Sequence, residues 1–202
     1  MRRNTLTRKN SERIFNMVFT ALLISIIALM GFVPFLGFIP LGFASVTIIH
    51  IPVIIAILFM DWKYASITGL AFGIISWVIA ILRPSQPLDY LFQYPYISVL
   101  PRFLFAFISA MSLKAIKPKL YRSERAAYIT DVVVSFLATL LHSVLVLGSL
   151  VIFFPYDIDP SGVSGAITAA LMILGTFSML EAAAAAIIAP AVVKALRTLI
   201  NS

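Results

Sequence analysis

Apolar residues fill the chain in long uninterrupted blocks, and the charges fall between these blocks rather than along one face of each. From Ile14 to Met60 no Asp, Glu, Lys or Arg occurs. That leaves room for two helices of about 20 residues, the length that crosses a hydrocarbon core. The run from Pro34-Phe-Leu-Gly37 to Pro40-Leu-Gly42, punctuated by proline and glycine, predicts the turn between them. Further breaks come from Asp61-Trp62-Lys63, Arg83-Pro84, the polar stretch Lys114 to Arg125, and Asp157 to Ser161. The pattern predicts helices at about 14–34, 43–60, 64–82, 101–116, 132–154 and 162–199. The expected fold is therefore an all-α integral membrane protein: a single domain over residues 1–202, built as a bundle of six transmembrane helices.

Composition supports that class. Hydrophobic residues make up 61% and charged residues 11%, against roughly 25% charged in soluble domains, so the chain cannot cover a water-facing surface. A net charge of +7 would suit nucleic acid, but its placement argues otherwise. Thirteen of the 15 Lys and Arg fall at the N-terminus, at Lys63, between Lys114 and Arg125, and at Lys194 and Arg197. With six spans these segments share one side, which makes both termini cytoplasmic. There is no cysteine, which excludes disulfides and thiol chemistry. The first apolar block is far longer than a signal-peptide h-region and lacks an A-x-A site, so it is expected to stay as an uncleaved helix.

Polar side chains at membrane depth are the main functional clue. His50 lies 11 residues from Asp61, and His142 lies 11 from Asp131. At a rise of about 1.5 Å per residue each sits about 16 Å up, near the midplane of a core about 30 Å thick. Arg102, Trp77 and Glu181 come out at about 18–21 Å by the same measure. An arginine at this depth needs a cavity or a partner. Because Arg102 follows Pro101, the sequence predicts a helix start inside the membrane. Free amides there, together with the guanidinium fork, would suit a carboxylate. The alternative is that Arg102 pairs with Glu181 and locks the bundle. The histidines can equally be satisfied by hydroxyl or backbone groups, and Trp77 suits an interfacial belt. The aromatics of Tyr90-Leu-Phe92-Gln93-Tyr94-Pro-Tyr96 alternate, as an outer lid or an ordinary aromatic belt would.

No G-x-x-x-x-G-K-[ST] phosphate loop occurs, so ATP is not expected to bind here. The two histidines are far apart in sequence and no H-E-x-x-H is present, so neither a metal site nor a catalytic residue is expected. Gly162-Val-Ser164-Gly165 resembles the serine motif of rhomboid proteases, but no His follows it. It is read as the cap of the last helix after Asp159-Pro160.

Three segments resemble the S components of energy-coupling-factor (ECF) vitamin importers. Ala21-x-x-x-Ser25 is similar to the small-x-x-x-small motif that docks on the coupling subunit, with Ser25 in place of the usual second alanine. The stretch from Ile39 through His50 to Val53, and Leu100-Pro101-Arg102-Phe-Leu, resemble the pantothenate-type branch. The resemblance implies a bacterial plasma-membrane subunit, not an enzyme, that binds a vitamin from outside and topples in the membrane to deliver it. Its implied partners are a transmembrane coupling subunit and two cytoplasmic ATPases, which use ATP; no cofactor and no nucleic acid are expected on this chain. Pantothenate is the expected substrate. Arg102 would take its carboxylate, His50, His142, Gln93 and Glu181 its hydroxyls and amide, while Trp77 and Tyr94 wall the pocket. Riboflavin and pyridoxine are the rival vitamins. A stand-alone channel and an intramembrane enzyme are the readings from other classes.

Overall fold

The computed structural model describes residues 2–33, 36–41, 44–84 and 87–201. The helices are α1 (Arg2–Phe32), α2 (Ile51–Phe59), α3 (Trp62–Leu82), α4 (Pro95–Leu120), α5 (Glu124–Phe153), the four-residue α6 (Pro155–Ile158), α7 (Val163–Ile173) and α8 (Met179–Asn201). A π-helical stretch, Leu174–Ser178, joins α7 to α8, and a 3-10 segment, Pro87–Gln93, precedes α4. Among the described residues five helical stretches are long and apolar enough to cross a membrane: Asn10–Phe32, α3, α4, α5 and Val163–Ile200.

The expected helix at 43–60 is corrected. Near its start lies a strand, β2 (Ala44–Thr47), paired antiparallel with β1 (Phe38–Leu41), and a turn leads from it into α2. The β-branched run Val46-Thr47-Ile48-Ile49 favours extended backbone, and Pro52, within the first turn of α2, tolerates a helix start but not a helix interior. Helix α2 has nine residues, about 13.5 Å of rise, which is less than half a membrane core. Ile51 to Leu58 are all buried, so the bundle shields this irregular backbone from lipid. Pro34, Phe35 and Gly42 of the expected turn, and Phe43 at the start of the expected helix, lie outside the described residues.

Helix α4 also departs from expectation, starting at Pro95 and running through Pro101. Arg102 thus stands two turns inside a helix, and no helix-start amides surround it. Helix α5 begins eight residues before the expected 132. Ser123 caps it by accepting from the Ala126 amide, and Glu124 lies in its first turn.

Helices α3 and α4 pack with their backbones almost touching. A Cβ placed on Gly69 would meet the Ala106 Cβ at 2.2 Å, and one on Gly73 would meet the Val99 Cα at 2.8 Å. Small residues at membrane-helix interfaces permit this approach. Before α7, the Ser161 amide donates to the Asp159 carboxylate at 2.8 Å, and Gly162 turns the chain at φ 78°. The Ser161 hydroxyl and amide hold the Asp159 carboxyl below its ordinary range. Gly162 takes the N-cap position of α7, with no side-chain cap bond.

The basic segments gather at one end of the bundle. There Phe15 of α1 meets Phe59, and the Lys63 and Lys114 ammoniums lie over Trp62. Arg197 donates to the buried Asp131 at 2.7 Å and to the Leu58 carbonyl at 3.2 Å, and the Tyr121 hydroxyl also donates to Asp131. Burial, with Asp131 beside it, pushes the Tyr121 phenol up. At the opposite end Arg83 donates to the Phe32 carbonyl at 2.7 Å, and Tyr94 meets Phe154.

Candidate functional site

Helix α2 begins just after its N-cap residue His50, about halfway through the bundle, and α5 carries His142 to the same level. The two imidazoles stack with ring centres 5.6 Å apart. Phe72 of α3 and Phe105 of α4 approach the His142 ring at 5.7 and 4.9 Å. The Arg102 guanidinium lies 5.2 Å from Phe72 and 5.2 Å from Phe92. Phe72 thus lies against both the His142 imidazole and the Arg102 guanidinium, with His50 stacked on His142. The partial positive charge at the start of α2 points into the same region. A half-helix ending at membrane depth is a recurrent way to receive an anionic group.

These side chains are buried yet incompletely paired. His142 has a partner at neither ring nitrogen, and His50 has none at Nδ1. His50 Nε2 lies 3.3 Å from the Thr139 hydroxyl, which itself donates to the Ser135 carbonyl. Arg102 donates from Nη1 to the Ser98 carbonyl at 2.8 Å, while its Nε is unpaired and no carboxylate lies against it among the described residues. The Ser98 and Ser76 hydroxyls are also unpaired. Each such group normally costs about 1–3 kcal/mol, so a cluster of them in one region signals a ligand site.

The alternative, an Arg102–Glu181 pair, does not form among the described residues. Glu181 instead accepts from the amide and hydroxyl of Thr47, the latter at 2.9 Å, tying α8 to the end of β2. Trp77 and Gln93 tie the end of α3 to the 3-10 segment. The Trp77 indole donates to the Gln93 carbonyl at 2.8 Å, and the Gln93 amide donates to the Ala80 carbonyl at 3.1 Å. Tyr94 is exposed at the start of α4, packed on Tyr96 and Phe154 at 5.5 and 5.0 Å. The structure thus brings together Arg102, His50 and His142. It leaves Glu181, Trp77, Gln93 and Tyr94 in bonds or contacts of their own.

Sequence reasoning missed Phe72, Phe105, Ser98 and Thr139, and placed Phe92 only in the aromatic strip read as a lid or belt. The phenylalanines were lost among 16 in the chain, and small hydroxyls in a membrane helix usually bond to the preceding turn. Among the described residues no three His, Asp or Glu come together as metal ligands. Ala21 and Ser25 lie on an exposed face of α1, where the Ser25 hydroxyl donates back to the Ala21 carbonyl at 2.8 Å.

Over residues 15–193 the chain matches the family model described as ECF transporter, substrate-specific component. No curated protein matches it.

Proposed function

Because the chain belongs to the family of ECF transporter substrate-specific components, we propose that the Arg102–His50–His142 cluster binds a small carboxylate vitamin, most specifically pantothenate. The observation that carries this reading is the buried guanidinium of Arg102, unpaired at Nε and without a carboxylate of its own among the described residues. A planar fork in a water-poor site favours a planar carboxylate. Pantothenate adds hydroxyls and an amide, which both donate and accept. Neutral imidazoles can do either, depending on tautomer, so the unpaired nitrogens of His142 and His50 suit such groups. Phe72, Phe92 and Phe105 supply apolar walls.

In this proposal the basic end of the bundle faces the cytoplasm, following the positive-inside rule, with both termini on that side. The vitamin enters from the opposite end, where Tyr94, Tyr96 and Phe154 cluster. The exposed Ala21/Ser25 face of α1 docks on the coupling subunit, and two ATPases supply the energy for toppling. Glu181 holds the β1–β2 hairpin against α8 through Thr47. It acts on the site by positioning the hairpin.

Calorimetric titration of the detergent-purified chain with pantothenate, riboflavin and pyridoxine tests the reading. Tight binding of pantothenate alone is expected. Tight binding of riboflavin or pyridoxine instead would overturn the carboxylate assignment.

A further inference from the structure

At the basic end, away from the vitamin site, a cleft of about 490 Å³ opens between the α2–α3 corner and the last turns of α4. This falls within the roughly 300–1,000 Å³ typical of ligand sites. Its α4 wall includes Lys114, Lys117 and Tyr121, and its opposite wall includes Ile57, Asp61 and Trp62. The α4 residues recur at intervals of three and four, so they form one continuous face.

The cations of this cleft are held in place. Lys114 stands over the Trp62 indole at 5.6 Å, with Lys63 over the same ring at 5.7 Å. Lys117 stands over the Tyr121 ring at 5.1 Å. Neither Lys114 nor Lys117 forms an ion pair among the described residues. Asp61 is the acidic side chain in the lining. Against the two lysines of α4 it leaves a net positive cleft, the charge that complements one phosphodiester.

Its level in the membrane selects the source of that phosphate. Lys114 lies 12 residues beyond the buried Arg102, about 18 Å along the helix. That reaches the headgroup region where tryptophan and tyrosine gather. Ile108 and Met111 are exposed and precede Lys114 at successive intervals of three. An apolar strip therefore runs from the membrane interior to the ammonium, as an acyl chain below a headgroup requires. A soluble phosphate would make no use of that strip.

We propose that this cleft binds the phosphate of an anionic phospholipid from the leaflet at the basic end. Basic pockets between helices at a membrane surface are known to take such headgroups.

Native mass spectrometry of the full detergent-purified chain, titrated with phosphatidylglycerol or phosphatidylcholine, tests the proposal. Phosphatidylglycerol should bind the more tightly. At roughly fivefold per lysine, the Lys114→Gln/Lys117→Gln double variant should lose about thirtyfold in that affinity. The Lys119→Gln/Arg122→Gln variant removes two exposed charges outside the cleft lining and should stay within about twofold. Equal losses in the two double variants would reduce the effect to general surface charge and overturn the site. Displacement of the lipid by millimolar inorganic phosphate would overturn the lipid as ligand. Should the cleft variant fail to fold, the wild type still decides, since no preference between the two lipids refutes the proposal.

Discussion

Replacing Arg102 with methionine separates a ligand-binding role from a structural one, because the two predict opposite balances. In the ligand-free protein the change removes one charged hydrogen bond to the Ser98 carbonyl, worth about 1.5–3 kcal/mol. It also removes two cation–π contacts of about 0.5–2 kcal/mol each. Against these losses stands relief from holding an unpaired cation out of water, several kcal/mol per ion. Methionine fills similar space against Phe72 and Phe92, so the free protein should melt at the same temperature or slightly higher. With pantothenate bound the outcome reverses. The ligand carboxylate would be buried without its cation, which costs about 3–5 kcal/mol. The dissociation constant should rise by roughly two to three and a half orders of magnitude. Arg102→Lys keeps the charge but loses the fork, and should fall between. Calorimetry and thermal melting on the same preparations give both numbers. A variant that melts many degrees lower while binding pantothenate normally would refute the assignment and make Arg102 a packing element.

Three further outcomes follow from other contacts. His142→Phe should fold, because the ring already packs among Phe72, Phe105 and His50. It should nevertheless weaken vitamin binding by about tenfold, one hydrogen bond's worth in calorimetry. Asp131→Ala removes the carboxylate that Arg197 and Tyr121 bond and, with Arg197 part-exposed and still bonded to Leu58, should destabilise the bundle by about 1.5–3 kcal/mol in detergent-unfolding measurements, with little change in the affinity of whatever protein remains folded. Gly73→Ala drives a methyl into the Val99 backbone and should lower the melting temperature by more than the same change at Gly148, whose Cβ would meet nothing within 4 Å.

The parts legible in the sequence were those set by long-range averages. Charge placement marked the helix breaks and the basic end, because moving a charge into lipid dominates every local preference. Helical rise put His50 and His142 at one level, and the structure stacks them. Local chemistry defeated the same approach between Gly37 and Met60. An apolar run that long reads as a helix, yet β-branched residues with Pro40 and Pro52 divide it into a hairpin and a half-helix. Pro101 misled in the other direction. A proline often marks a helix start, but α4 carries this one in its interior. The partner of Glu181 was not legible either, because Thr47 comes from that same unforeseen hairpin.

The glycine contacts between α3 and α4 bear on how the vitamin could ever leave. Backbones this close cannot slide or separate without losing their packing, so Phe72 and Arg102 travel together as one fixed jaw. His50 and His142 belong to elements outside that pair, the half-helix α2 and the long α5. Opening a path through the bundle therefore falls to these parts and to the hairpin tied by Thr47 to Glu181. In the proposed site, release would then part Arg102 from the two imidazoles.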